Sequence, residues 1–131
     1  MAQYPTALDV IAMNEEIMGR MGGGTSILRD EAALETAVMR PQIAAHYVEA
    51  DLAEQAATLI AGVALAHAFV GGNKRTALAA GTTFLILNGN WVVCRPTEVG
   101  QQIVVITERS GSVADAVGLF AEWLRAHIEP F

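Results

Sequence analysis

Residues 59–88, LIAGVALAHAFVGGNKRTALAAGTTFLILN, decide how this chain folds. Two long apolar runs flank a ten-residue window, HAFVGGNKRT, which holds one histidine, two glycines, an asparagine and two adjacent cations. From Ala56 to Ala66 and from Ala77 to Leu87, apolar residues occur on every side of a helical projection. A helix that is apolar all round is usually buried all round. The two runs therefore predict a buried central pair of helices, and the polar window is the connection that reaches the surface.

The length and composition indicate one domain with its own core. The chain has 131 residues, 53% of them hydrophobic, and we expect residues 1–131 to form a single domain. The single cysteine, Cys94, has no partner for an internal disulfide, which fits a reducing compartment. The net charge of −6 argues against nucleic acid as a direct partner. No signal peptide is visible and no apolar run reaches the roughly 20 residues of a membrane span, so we expect a cytoplasmic protein without membrane contact.

Helical periodicity predicts an all-α fold of about six helices. After Pro41, residues 42–50 have no helical period, and we expect a loop or a short β-hairpin there. A short extended piece is expected at residues 91–96. The segments interpreted as helices are residues 6–24, 29–41, 52–67, 74–88, 98–109 and 112–127.

Local signals predict where these helices begin and end. Gly22 to Gly24 should end the first helix, because glycine accepts the left-handed turn found after helices. Short polar side chains should cap the helix starts. The expected N-caps are Asp30, Asp51, Asn73, Thr97 and Ser112. Four apolar residues at helical spacing should form one face of the first helix: Leu8, Ile11, Met18 and Met21.

The polar window predicts an anion site at the start of the fourth helix. If Asn73 caps this helix, its first backbone N–H groups are free and lie at the positive end of the helix dipole. Gly71 and Gly72 let a ligand approach the backbone closely. Lys74 and Arg75 are cations in the first turn, where they are unfavourable unless an anion arrives. This arrangement is typical of a phosphate site.

His67 precedes the glycines and is a candidate general base, because imidazole can accept a proton near neutral pH. A structural interpretation stays open beside it. A glycine turn that begins a buried helix needs no ligand, and a single histidine is often a hydrogen-bonding residue of the fold. The window is not a Walker A loop, which places glycine directly before lysine and follows a strand.

The same residues resemble the motif of the Fic/Doc superfamily, H-x-F-x-[D/E]-[G/A]-N-[G/K]-R. The flanking sequence is similar to the death-on-curing (Doc) branch, and the resemblance covers roughly Leu8 to Leu124. It implies a compact Fic-type helical bundle with a short flap. The positions that align with the motif are His67, Ala68, Phe69, Val70, Gly71, Gly72, Asn73, Lys74 and Arg75.

This resemblance implies the toxin of a type II toxin–antitoxin module. Doc-like members are kinases that place the γ-phosphate of ATP on a threonine of the translation factor elongation factor Tu, whereas most Fic domains transfer AMP. AMP-transferring members usually have glycine in place of Lys74 and a second arginine in place of Leu78, so both residues favour the Doc branch. No glutamate is followed by glycine or asparagine, as in the inhibitory helix of many Fic proteins. The implied inhibitor is therefore a separate antitoxin whose disordered tail folds on this domain.

The resemblance also implies roles for single residues. His67 would take the proton from the target hydroxyl, and Asn73 would bind a phosphate oxygen. Lys74 and Arg75 would neutralise phosphate charge. Residues 43–50 would form the flap that docks the target segment by strand pairing. The residues implied to bind ATP are Gly71, Gly72, Asn73, Lys74, Arg75 and Thr76.

Gly71 departs from the motif, whose acidic residue at this position binds Mg²⁺. Mg²⁺ prefers carboxylate and phosphate oxygens, and no carboxylate occurs between Glu54 and Glu98. Mg²⁺ binding and activity should therefore be weakened or lost. Three explanations are open: the glycine was introduced to make a toxic protein producible, the chain is a naturally weakened relative, or a carboxylate distant in sequence fills the place. The alternatives to a Doc-like kinase are an AMP-transferring Fic enzyme and a non-catalytic module that binds a nucleotide or a partner.

Overall fold

A computed structural model describes residues 2–22, 24–108 and 111–131 of the chain. This part of the chain contains six α-helices and a two-stranded antiparallel sheet, which confirms the all-α fold class. The two strands pair Asn90 with Pro130, Trp91 with Glu129 and Val92 with Ile128. The elements are α1 (Ala7–Arg20), α2 (Glu31–Val48), α3 (Leu52–Ala66), α4 (Asn73–Leu87), β1 (Asn90–Val92), α5 (Pro96–Thr107), α6 (Val113–His127) and β2 (Ile128–Pro130).

Helix α3 forms the centre of the bundle. It packs against α2, α4, α5 and α6, and most of its side chains are buried. Helix α4 packs mainly against α3 and α1, but Ile86 and Leu87 near its end are exposed. The predicted burial on every side therefore holds for α3 and only in part for α4.

Gly81 allows α3 and α4 to approach each other closely. A Cβ at this position would lie 2.2 Å from Cγ1 and 2.3 Å from Cδ1 of Ile60, a buried residue of α3. Such distances are far inside van der Waals contact, so a side chain at position 81 would displace Ile60 or shift one of the two helices. The contact therefore fixes the spacing of the two helices whose connection is the polar window.

Residues 42–48 are helical, so the loop or hairpin predicted for residues 42–50 and the flap implied for residues 43–50 are wrong for this part, and only residues 49 and 50 lie outside the helix. Helix α2 continues through Pro41 to Val48. A proline inside a helix removes one hydrogen-bond donor, and the Pro41 ring is buried against the core. The turns after it are mostly exposed, and a helix that buries no face needs no apolar period. The helix ends at Glu49, which adopts the left-handed conformation with φ 54°.

Three of the five predicted N-caps are confirmed. Asp30, Asp51 and Ser112 each accept a hydrogen bond from the backbone N–H three residues later, at 2.9–3.1 Å. The other two predictions are wrong. Helix α4 is capped by Gly72, with Asn73 as its first helical residue. Helix α5 is preceded by Arg95 and has Pro96, not Thr97, at its start, where the fixed φ of proline suits the first turn.

The apolar face predicted for α1 is only partly correct. Leu8 and Met21 are exposed, and the fully buried residues of this helix are Val10 and Asn14. Gly23, part of the predicted glycine stop, lies outside the described residues, as does Arg109 at the end of the fifth predicted helix. No helix of residues 2–22, 24–108 and 111–131 has the length and apolarity that a membrane crossing requires.

Candidate functional site

The connection between α3 and α4 is held by main-chain hydrogen bonds to the segment before α2. The carbonyl oxygen of Ala68 accepts from the backbone N–H groups of Arg29 and Asp30, at 2.6 and 3.1 Å. The Val70 N–H donates to the carbonyl of Ile27 at 3.0 Å. Residues 27–30 and residues 68–70 are thus joined by three main-chain hydrogen bonds, which fix the backbone of the window.

His67 lies exposed where α3 ends. It adopts the left-handed conformation, φ 48° and ψ 40°, which is uncommon for a residue with a side chain. Nη2 of Arg29 donates a hydrogen bond to the His67 carbonyl at 2.7 Å. This bond fixes the backbone from which the imidazole projects.

Asn73 closes the loop by bonding back to Phe69. Its Oδ1 accepts from the Phe69 N–H at 3.1 Å, and its Nδ2 donates to the Phe69 carbonyl at 2.8 Å. Phe69 itself is buried in the core. The Asn73 amide therefore sets the shape of the turn, and one of its two N–H hydrogens is left for another acceptor.

The start of α4 presents free backbone donors. The first N–H of this helix with a main-chain acceptor is that of Thr76, which donates to the Gly72 carbonyl at 2.9 Å. Within the described residues, the N–H groups of Gly72, Asn73, Lys74 and Arg75 make no hydrogen bond. Four free donors at the positive end of a helix dipole can bind an anion.

These donors border a cleft of about 370 Å³. Lys74 and Arg75 are exposed at its edge, and neither forms an ion pair within the described part of the chain. None of the lining residues is acidic, so the cleft has an uncompensated positive charge. Its lining consists of Met21, Ala64, Leu65, His67, Gly72, Asn73, Lys74, Arg75 and Thr107. The structure thus brings together four of the predicted site residues that carry side chains: His67, Asn73, Lys74 and Arg75.

Gly71 and Thr76, which the resemblance also assigned to ATP, do not line this cleft. Thr76 is buried, and its Oγ1 accepts a hydrogen bond from Nδ2 of Asn14 at 3.0 Å. The carbonyl of Gly71 accepts a second bond from the same nitrogen at 2.9 Å. Both residues therefore lie between the cleft and α1.

Asn14 was missed by the sequence reasoning. It lies one turn after Val10 and shares its buried face, and that spacing is the signal that could have revealed it.

The residues around the cleft do not fit a protein-bound Mg²⁺. The cleft has no carboxylate, and no group of three or more histidine, cysteine, aspartate or glutamate residues suited to a metal exists in residues 2–22, 24–108 and 111–131. Gly71 has an ordinary φ, and a Cβ added to it would lie 3.1 Å from Cε and 3.5 Å from Sδ of Met18. The flexible end of Met18 thus fills the space next to Gly71, where the motif has its acidic side chain.

A second, apolar cleft of about 460 Å³ lies between α4 and α5. It shares Lys74 and Arg75 with the first cleft, and Leu78 forms part of its wall. The remaining lining residues are Thr97, Gly100, Gln101, Ile103 and Val104. The two cations therefore lie between the two clefts.

These features define a class of protein: a small helical domain whose central helix pair presents a basic, glycine-lined helix start with a histidine beside it. A sequence model of the Fic/DOC family matches residues 4–85, and the chain belongs to this family. A relative is Toxin Doc of Mycolicibacterium smegmatis (strain ATCC 700084 / mc(2)155), which is 48% identical over 69 residues. The aligned part is 51% of this chain and 53% of the relative, so the chain spans about half the length of that protein.

Proposed function

We propose that this chain is the toxin of a type II toxin–antitoxin module, acting by family as a Doc-like kinase. It would transfer the γ-phosphate of ATP to a threonine of a translation factor similar to elongation factor Tu, with activity impaired by Gly71. Membership in the Fic/DOC family and the similarity to Toxin Doc support this proposal.

The observation that carries the proposal is the group of free donors and cations at the start of α4. Four backbone N–H groups and the side chains of Lys74 and Arg75 have no partner among the described residues. Triphosphate oxygens would satisfy both kinds of group, and phosphoryl transfer depends mainly on positioning and charge neutralisation. The adjoining apolar cleft offers a surface on which the purine of ATP can lie.

His67 is the candidate base. Its imidazole would take the proton from the threonine hydroxyl while the hydroxyl oxygen bonds to the γ-phosphorus. The bond between that phosphorus and the β,γ-bridging oxygen breaks, and ADP leaves with the electron pair. Arg75, Lys74 and the free N–H groups would hold the phosphate oxygens during this step. No step is assigned to Mg²⁺, because the cleft offers it no carboxylate.

Kinase activity is favoured over AMP transfer by two residues. Lys74 and Leu78 occupy positions where AMP-transferring members usually carry glycine and a second arginine. In this structure Leu78 is part of an apolar wall, so that side of the helix start has no additional cation.

A non-catalytic binding module is the second candidate. The observation that favours it is Gly71, since an anion site without a metal ligand can still hold a nucleotide. The two candidates share the same ligand and differ in whether phosphate is transferred.

The experiment is to restore the carboxylate. Gly71→Asp should give Mg²⁺-dependent transfer of label from γ-labelled ATP to purified elongation factor Tu, and His67→Ala in that background should abolish it. Gly111→Asp is the matched control, because it adds the same charge in open space outside the cleft.

The position of the label separates the alternatives. Transfer only from α-labelled ATP would replace the kinase with AMP transfer. No transfer from either position, by a folded variant that binds ATP, would favour the binding module. A folded variant that binds no ATP would refute both candidates.

The partner is proposed to be an antitoxin whose disordered tail folds on this domain. Such binding should raise the thermal midpoint by mass action. Co-expression with the neighbouring reading frame and affinity purification would test it, and recovery of no small partner would contradict the toxin–antitoxin proposal.

A further inference from the structure

Asn14 is a fully buried polar residue on α1 that contacts the α3–α4 connection. Its Nδ2 donates to the Gly71 carbonyl at 2.9 Å and to Thr76 Oγ1 at 3.0 Å. Its Oδ1 accepts from Oγ of Ser26 at 2.5 Å. The exposed fraction of Asn14 is 0%, although the neighbouring buried residue of the helix, Val10, is apolar.

The packing of α1 does not require an amide at this position. A buried amide is tolerated only when its donors and acceptor are paired, and an apolar side chain of similar size would avoid that requirement. Both hydrogens of the Asn14 amide are used, one on each side of the helix start. The bonds join residues 57 and 62 positions apart in sequence. The side chain therefore acts on the loop rather than on its own helix.

The bond to Gly71 determines which way a peptide unit faces. In a trans peptide, the carbonyl of Gly71 and the N–H of Gly72 point in opposite directions. Because Asn14 holds the carbonyl, the Gly72 N–H is turned away from Asn14. The structure gives this N–H no partner among the described residues, and Gly72 lines the cleft.

Helix α1 approaches the loop closely at Gly72. A Cβ on Gly72, whose φ is +74°, would lie 3.3 Å from Nδ2 of Asn14 and 3.1 Å from Sδ of Met18. Gly72 therefore packs directly against the Asn14 amide on the side of the loop that faces α1.

We propose that Asn14 is a positioning residue of the anion site: by holding the Gly71 carbonyl, it presents the Gly72 N–H to the ligand. The inference rests on the proposed function, since it assumes that phosphate oxygens are bound at this helix start. Asn14 acts through the peptide and does not touch the ligand.

The test compares Asn14→Leu with Val10→Ala by calorimetric titration with ADP. Val10→Ala is the matched control, because it removes buried atoms from the same helix one turn away without affecting the Gly71 bond. Asn14→Leu should weaken ADP binding about tenfold, the size of one lost hydrogen bond to a charged group, and Val10→Ala by less than about twofold. If Asn14→Leu does not fold, Asn14→Ser is used in its place.

A second measurement separates this inference from the proposed function. The ¹H–¹⁵N heteronuclear NOE of the Gly72 amide should fall in the Asn14 variant and stay unchanged in Val10→Ala. If the wild-type chain binds no ADP, the proposed function fails and the NOE alone decides the inference. An unchanged NOE, or equal losses of ADP affinity in the two variants, would overturn the positioning role.

Discussion

The two adjacent glycines of the loop should respond very differently to the same substitution. Gly71 has an ordinary φ, whereas Gly72 has a φ of +74°, which residues with a Cβ rarely adopt. Gly71→Ala and Gly72→Ala therefore add the same methyl group one residue apart, in different backbone conformations. The pair measures how much of the loop's stability depends on the left-handed turn at the start of α4.

The expected magnitudes follow from the contacts of the added Cβ. At Gly72 the left-handed conformation costs about 1 kcal/mol for alanine, and a weakened Asn14 bond costs roughly 1 kcal/mol more. Alanine also lowers the conformational entropy of the unfolded chain, which offsets about 0.4–1 kcal/mol of this loss. The net loss should be about 1–2 kcal/mol. At Gly71 only the flexible end of Met18 must shift, so the free energy of unfolding should stay within about 0.5 kcal/mol of wild type.

Urea unfolding followed by circular dichroism measures both variants, and calorimetry gives the thermal midpoint. For a chain of this size the Gly72→Ala midpoint should fall by about 4–8 °C. Equal losses for the two alanine variants, or a Gly72→Ala variant as stable as wild type, would refute the reasoning from φ and from the Asn14 contact.

Two further predictions concern the charged groups. Arg75→Ala should weaken ATP binding by about 1–3 kcal/mol in a calorimetric titration. The control Arg95→Ala removes an exposed cation outside both clefts and should leave ATP binding unchanged. Equal effects of the two substitutions would contradict a phosphate contact of Arg75. A hydrogen bond from Nε of Arg125, at 2.8 Å, lowers the pKa of Asp51. Asp51 therefore stabilises the fold at pH values above its unfolded pKa of about 3.9, and this contribution is lost as the pH falls through the lower pKa of the folded state. Asp51→Asn, which keeps a good helix cap, should flatten the decline of stability with acid, and an unchanged acid profile would contradict the prediction.

The fold class and the helix pair that carries the site could be predicted because their signals are local. The apolar runs on both sides of residues 67–76 mark buried helices, and short polar caps such as Asp51 mark helix starts. His67, Lys74 and Arg75 are close in sequence, so their spacing alone brought them together, whereas Met21 and Thr107 reach the cleft only through the fold.

Other features depend on contacts that sequence spacing does not contain. The last turns of α2 bury few side chains, so they lack the apolar spacing by which a helix is recognised in sequence. Pro41 suggested that the helix ends there, although the helix continues to Val48. Asn73 has the side chain of a cap, but Phe69 takes both of its hydrogen-bonding groups, and Gly72 serves as the cap instead. The role of Asn14 depends on a residue 57 positions away.

The tight contact between Gly81 and Ile60 has a consequence for how loss-of-function variants are interpreted. Position 81 lies six residues after Arg75, about 9 Å along α4, and has no part in either cleft. Where a side chain at position 81 shifts α4 against α3, the start of α4 moves relative to His67. If Gly71→Asp restores activity as proposed, a genetic screen for inactive variants in that background should therefore return position 81 together with loop positions. Comparing the ligand affinity of each variant with its free energy of unfolding would separate disturbed packing of α3 against α4 from a lost ligand contact.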